Sequence, residues 1–221
     1  ERVCRMLSPR ARIVTGFHPV YDQFKGSLPG REEARAQLGL SGEVLLFMGF
    51  VRPYKGLDVL LKALSRLRDR RTVSLLVVGE FWENKSVYTN RIDELGLNDR
   101  VRLVDRYVPN EELGRYFAAA DLAVLPYVSG TGSGVCQLAF GMNTPVVASR
   151  VGSMADVVEH GVNGRLVDPG DPEQLAEAIG RALAPGELAR LTRGTAGMRK
   201  RYSWDRFAAL VTDEEGQAER E

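Results

Sequence analysis

A chain of 221 residues with 44% hydrophobic content is long enough to bury one sizeable domain with flanking segments. Its formal net charge of +1 offers no broad field to a nucleic acid or an anionic membrane. Two unclustered cysteines, Cys4 and Cys136, make no metal site, and without a signal peptide or an apolar run of membrane length a cytoplasmic location is expected.

Residues 1–43 hold one short strand-like run, Ala11 to Thr15, and a turn-rich stretch around Gly26 and Gly30. They are expected to form a crossover segment outside the main domain, which is placed at residues 44–202. Val44 to Gly49 is a continuous apolar run ending in glycine, the pattern of a strand buried on both faces. Leu57, Leu60, Leu61 and Leu64 follow at helical spacing. Val73 to Gly79 and Val101 to Val104 give the second and third strands. Leu113, Tyr116, Phe117 and Ala120 mark a helix for which Asn110 is the expected N-cap. Leu122 to Pro126, Pro145 to Ser149 and Gly164 to Val167 give three further strands. Asp171 then caps a helix with Pro172 at its first position and Gln174 placed for a capping box. Leu175, Ala178, Ile179 and Ala182 form its apolar stripe. Residues 203–221 end in a polar tail from Asp213. Strands alternating with amphipathic helices predict an α/β fold: a Rossmann-like parallel sheet of about six strands with helices on both faces. The chain starts at Glu1 rather than methionine, as a fragment of a longer protein would.

In open parallel sheets, ligands sit beyond the carboxyl ends of the strands. One such end carries Ser129-Gly130-Thr131-Gly132-Ser133-Gly134-Val135, small and hydroxyl residues that open an apolar helix. Backbone N–H groups can converge there on an anion, aided by the positive end of the helix. Thr131, Gly132, Ser133, Gly134 and Val135 are therefore read as a diphosphate cradle. No Gly-Lys-Ser/Thr closes it, so it is not a P-loop, and Gly-x-Gly-x-x-Gly does not follow the first strand. Arg52 and Lys55 flank the turn after the first strand, where two cations could neutralise a diphosphate. Phe81 and Trp82 read equally as stacking groups or as surface packing. The Asp105-Arg106-Tyr107-Val108-Pro109 loop could read a nucleobase edge or merely join strand to helix. His18 and His160 lack a partner at catalytic spacing, and no His, Cys, Asp and Glu cluster suits a metal. Cys136, inside an apolar run, reads as a small buried hydrophobe.

These pieces resemble a known family. Phe47-Met48-Gly49-Phe50 through Lys55-Gly56-Leu57-Asp58 is similar to the phosphate loop of the retaining glycosyltransferases of family four. Ala119-Ala120-Asp121-Leu122 through Pro126 and Pro145-Val146-Val147-Ala148-Ser149 resemble two of that family's strands. Val151-Gly152-Ser153 through Val158, then Gly161-Val162-Asn163-Gly164, resembles its next segment. The match runs from about Val44 to Leu183. The resemblance implies the C-terminal, donor-binding domain of a GT-B enzyme, with residues 1–43 as the crossover from a missing N-terminal domain and the helix around Tyr202 to Phe207 as the returning segment. It implies that Lys55 contacts the donor diphosphate. The arginine that the family places five residues before that lysine falls at Phe50, which leaves Arg52 as the nearest substitute. The family's two spaced glutamates, which touch the donor sugar and the ribose, fall at Gly130 and Leu138.

The expected function is transfer of a sugar, with retention, from a nucleotide-diphosphate sugar to an unknown acceptor. Arg52 and Lys55 are the expected catalytic cations, and Arg106, Tyr107, Gln137 and Leu138 the nucleobase and ribose region. Neither a metal nor a cofactor is expected beyond the substrate itself. The missing N-terminal domain would be needed for turnover. A non-catalytic nucleotide-binding module, a phosphorylase and a sugar-nucleotide epimerase are the alternatives.

Overall fold

The computed structural model describes residues 16–21, 28–67 and 72–212. Cys4, the run at residues 11–15, Gly26 and the tail from Asp213 lie outside them. In chain order the elements are α1 (Arg31–Leu38), β1 (Glu43–Met48), a 3-10 turn (Pro53–Lys55), α2 (Leu57–Arg66), β2 (Val73–Val78) and α3 (Ser86–Glu94). There follow β3 (Val101–Val104), α4 (Asn110–Ala119), β4 (Leu122–Leu125), α5 (Gly134–Gly141), β5 (Val146–Ser149) and α6 (Met154–Val157). β6 (Gly164–Val167), α7 (Pro172–Ala182), α8 (Glu187–Arg201) and α9 (Trp204–Thr212) complete the fold.

The six strands form one sheet in the order β3-β2-β1-β4-β5-β6, and every pairing is parallel. This is the doubly wound Rossmann order, whose direction of winding reverses between β1 and β4. The alternation along β1 shows why its sequence is apolar from Val44 to Met48. Val44, Leu46 and Met48 enter one core, with Tyr116 and Phe117 of α4 and Phe140 of α5. Leu45 and Phe47 enter the other, with Leu57, Leu60, Leu61 and Leu64 of α2 and Leu175 and Ile179 of α7. A strand covered on both faces has no position left for a polar side chain.

Helix α1 falls within the segment expected to be a crossover. It packs against α4 through a face that buries Ala34 and Leu38. Arg31 and Arg35 both reach the carboxylate of Asp121, with Arg35 Nη2 at 2.6 Å. Asp121 is buried, and its Oδ2 also accepts the N–H of Val44 at 2.7 Å. One side chain thus ties α1, the start of β1 and the start of β4 together.

Asp171 caps α7 as expected, its Oδ1 accepting from the N–H groups of Glu173 and Gln174 at 2.9 Å each. The side chain of Gln174 accepts instead from the N–H of Asp168, on the strand side of the turn. Asn110 is not the cap of α4. Extended Pro109 occupies that position with no side-chain bond, and Asn110 is the first helical residue. The proline's fixed φ turns the chain into the helix one residue earlier.

Candidate functional site: a cavity at the strand switch point

Beyond the carboxyl ends of β1, β2 and β4 lies a cavity of about 700 Å³. Gly49, Phe50, Tyr54 and Lys55 wall it on one side. Gly132, Ser133, Gly134, Val135 and Leu138 wall the other, and Arg106, Tyr107 and Val108 close its far end. The loop after β1 and the glycine run after β4 therefore meet across one opening.

Two glycines make room for Lys55. The 3-10 turn ends at Gly56, which has φ +73°. A Cβ there would stand 1.9 Å from the carbonyl oxygen of Pro126. A Cβ on Gly49 would stand 2.6 Å from Lys55 Nζ. The lysine is 8% exposed, and among the described residues its ammonium has no ion pair or hydrogen bond. The ammonium lies 5.8 Å from the centre of the Tyr127 ring. Burial, assisted by the nearby charge of Arg52, lowers the lysine pKa to about 8. A buried cation without a counter-charge is costly unless an anion is bound beside it.

Across the cavity, Ser133 is the N-cap of α5, its Oγ accepting from the N–H of Cys136 at 3.3 Å. Tyr127 Oη lies 3.1 Å from the same Oγ, and burial pushes that phenol up to about 12. With Cys136 satisfied by the cap, the N–H groups of Gly134 and Val135 precede the first intrahelical bond, and both residues line the cavity. The thiol of Cys136 is buried and pushed up to about 12, so it behaves as the small hydrophobe expected.

The expected site residues separate into three places. Lys55, Gly132, Ser133, Gly134, Val135, Arg106, Tyr107 and Leu138 line the large cavity. Thr131 and Gln137 line a smaller cavity of about 260 Å³ behind the glycine run, which shares Gly132, Ser133 and Gly134 with the first. Arg52 lines neither; its guanidinium lies 4.1 Å over the ring of Trp82. Arg106 pairs with Glu112 and lies 3.2 Å from Tyr116 Oη. Tyr107 is 63% exposed, a free face for a planar ring. Phe81 packs edge-on against Tyr88 and Trp82 tilts on Phe50, so both are packing groups at the rim.

Tyr21, Tyr54 and Tyr127 also line the large cavity, and sequence reasoning passed over them. Tyr54 and Tyr127 carried a usable signal, since each stands in a loop leaving a strand's carboxyl end. Tyr21 did not, because it reaches the site from the early segment. His18 lines the smaller cavity and is bonded to Tyr21 Oη at 3.1 Å. His160 is structural, its Nδ1 accepting from the N–H of Leu166 at 3.1 Å. Among the described residues, no group of His, Cys, Asp and Glu could hold a metal ion, and no helix is long and apolar enough to cross a membrane.

A sequence profile described as Glycosyl transferases group 1 matches residues 42–185. Among curated proteins, the D-inositol 3-phosphate glycosyltransferase of Acidothermus cellulolyticus is 35% identical over 183 residues, covering 78% of this chain and 41% of that protein. D-inositol 3-phosphate glycosyltransferase 1 of Catenulispora acidiphila is 37% identical over 200 residues, covering 82% and 47%. The chain thus spans less than half the length of either. Among solved structures, sucrose-phosphate synthase from Thermosynechococcus elongatus superposes with a TM-score of 0.81 at 25% identity, over 98% of this chain and 55% of that one. HepE of Anabaena in complex with UDP gives 0.79 at 24% identity, over 93% and 57%. The C-terminal domain of LpcC, a group 1 glycosyl transferase from Francisella tularensis, gives 0.68 at 17%, over 82% of this chain and 93% of that domain. The profile covers well over half of the sequence, and the fold is that of a GT-B C-terminal domain: the chain belongs to the Glycosyl transferases group 1 family.

Proposed function

We propose that the chain is the donor-binding half of a retaining glycosyltransferase, holding a nucleotide-diphosphate sugar in the large cavity. The observation that carries this reading is the buried, unpaired Lys55 lining one cavity with the N-terminal residues of α5, where helix amides lack intrahelical partners. A diphosphate between them would satisfy both. Tyr107 and Leu138 would then flank the nucleoside. HepE, which shares the fold, is described as a complex with UDP, and the curated relatives are named for sugar transfer.

Cleavage of the glycosidic bond leaves negative charge on the departing diphosphate. Lys55 and the N–H groups of Gly134 and Val135 stand where that charge grows, and such groups accelerate a reaction to the extent that they bind the transition state better than the ground state. A protonated lysine supplies the positive charge here, so no metal is invoked. Arg52 would add to the field from the rim. The acceptor would be held by the part of the enzyme that corresponds to the relatives' remaining length, and this chain alone should not turn over.

Calorimetric titration with UDP and its deoxy analogue tests the reading. Leu138 stands where the resemblance places a ribose-binding carboxylate, and it is 7% exposed. The ribo and deoxy forms are expected to bind within a few-fold of each other, because the charged hydrogen bond worth roughly 1.5–3 kcal/mol is missing. Discrimination beyond tenfold would reveal another ribose partner. No binding of either would remove the nucleotide reading.

A second test concerns the cradle. A Cβ on Gly134 would stand 3.7 Å from the ring of Tyr21, ordinary contact. The branched carbons of Gly134→Val extend further, into the space of the anion. UDP affinity is expected to fall about tenfold, roughly 1.4 kcal/mol, with the melting temperature nearly unchanged, as for most substitutions outside the core. An unaltered UDP-induced rise in melting temperature would place the phosphates elsewhere.

A further inference from the structure

Lys55 meets the start of α5 at one point above Gly49. A Cβ built on Gly49 would stand 2.6 Å from Lys55 Nζ and 3.6 Å from Cγ2 of Val135, in the first turn of that helix. The lysine is 8% exposed and lines the large cavity. Among the described residues, Lys62 and Lys85 pair with Asp58 and Asp105, whereas the Lys55 amine has neither an ion pair nor a hydrogen bond.

Three features of these surroundings oppose a positive charge. Burial takes water from the ammonium, Arg52 repels it, and the amino end of a helix carries partial positive charge of its own. With the pKa lowered to about 8, about one lysine in ten is free base at pH 7 and about half at pH 8. The free base is the nucleophilic form of an amine, and here it opens on a cavity large enough to admit a small electrophile. The same surroundings favour an anion. A carboxylate attached to Nζ would bring two acceptor oxygens beside the first turn of α5, whose amides lack intrahelical partners, and into the field of Arg52.

We propose that Lys55 of the free chain is reversibly carbamylated by dissolved carbon dioxide, and that the carbamate and a diphosphate exclude each other. The amine lone pair forms an N–C bond to the carbon of CO2, one C=O π pair moves onto oxygen, and the proton lost from nitrogen passes to water. The product carries a single negative charge where the ammonium carried a single positive one. The reverse step returns CO2 and the amine. A diphosphate cannot share the cradle with a second anion, so the modified chain is closed to the donor until CO2 leaves. The exclusion rests on the nucleotide-diphosphate reading above; the modification itself does not.

The test is site-resolved trapping on the 221-residue chain. The chain is equilibrated near its lysine pKa, at about pH 8, with isotopically labelled bicarbonate and CO2 in a closed vessel. Carbamates are fixed by alkylation with triethyloxonium, and the lysine peptides are read by mass spectrometry. Lys55 should carry the label, Lys62 and Lys85 should carry little, and saturating UDP should keep it off Lys55. With about two-thirds of the chains carbamylated, UDP-glucose affinity should fall about threefold against a chloride buffer of equal pH and ionic strength. In Lys55→Arg, which keeps a cation and forms no stable carbamate, that CO2 effect should disappear. No label at Lys55, or equal label at Lys62 and Lys85, overturns the proposal. So does a CO2 effect that persists in Lys55→Arg, which would make bicarbonate a bound competitor rather than a source of covalent modification. Label at Lys55 that UDP fails to displace would keep the carbamate, overturn the exclusion, and bring down the nucleotide reading with it.

Discussion

Asp121→Ala is expected to lower the melting temperature by roughly 6–12 °C, the shift for ~3 kcal/mol in a domain of this size. The carboxylate is 6% exposed, and it answers two arginines of α1 and the N–H of Val44. Removing it leaves a buried N–H at the start of β1 without an acceptor and Arg35, 19% exposed, without its counter-charge. Arg31, 52% exposed, can turn to water, which holds the cost at the low end of the range for a broken buried pair. Asp121→Asn keeps one oxygen for Val44 and should lose less. Thermal unfolding of both variants by circular dichroism gives the answer. An alanine variant melting within 2 °C of wild type would mean that α1 is not anchored through this residue.

That anchor also marks a limit of the sequence. Asp121 stands in a recognisable strand motif, but its partners lie 86 and 90 positions earlier on a helix that was not expected. Arg31–Leu38 buries only Ala34 and Leu38, too few apolar positions to set up a helical stripe. The same reason hides α3, which buries only Tyr88 and Ile92, and α8, which buries Leu191, Thr195 and Met198 over fifteen residues. β1 from Val44 on and β4 were legible because they are buried on both faces, which writes itself into the sequence as an unbroken apolar run. α2 and α7 were legible because each lays a full leucine or alanine stripe on the sheet.

The site divides in the same way. Lys55 and the glycine run were legible as loops leaving strand ends, since topology alone sends such loops to the switch point. What could not be read was which neighbours share a cavity. Adjacent residues on a helix point about 100° apart, so Gln137 and Leu138, read together as a ribose region, line different cavities. Arg52, three residues from Lys55, is drawn outward by the face of Trp82, thirty positions on. Stacking of that kind depends on where the loop after β2 comes to rest, which spacing within the first loop does not reveal. The solitude of Lys55 was also invisible, and it is the most consequential feature of the site.

Lys55→Met is expected to separate binding from folding. Loss of the ammonium should weaken UDP-glucose binding about ten- to a hundredfold, the worth of a charged contact of roughly 1.5–3 kcal/mol. The apo variant should nevertheless be at least as stable as wild type at pH 7, since it no longer buries an unpaired cation. The pH dependence gives an independent signature. The free-state lysine pKa of about 8 lies below its usual 10.5, and a bound diphosphate favours the charged form, raising it. Affinity should therefore be full below about pH 8 and fall as pH rises past it. UDP-glucose is the ligand to use, because its diphosphate diester does not itself titrate there. Stability of the apo wild type should run the other way. Between about 8 and 10.5 the unfolded chain holds a proton that the folded lysine has released, so the lysine's contribution to stability rises with pH across this window. Lys55→Met should lose the lysine's share of both slopes, leaving the stability trend set by the other groups, such as the buried Tyr127 and Cys136. A variant that keeps the wild-type affinity, or a wild type whose affinity is flat from pH 7 to 10, would remove Lys55 from the diphosphate site and with it the observation on which the proposed function stands.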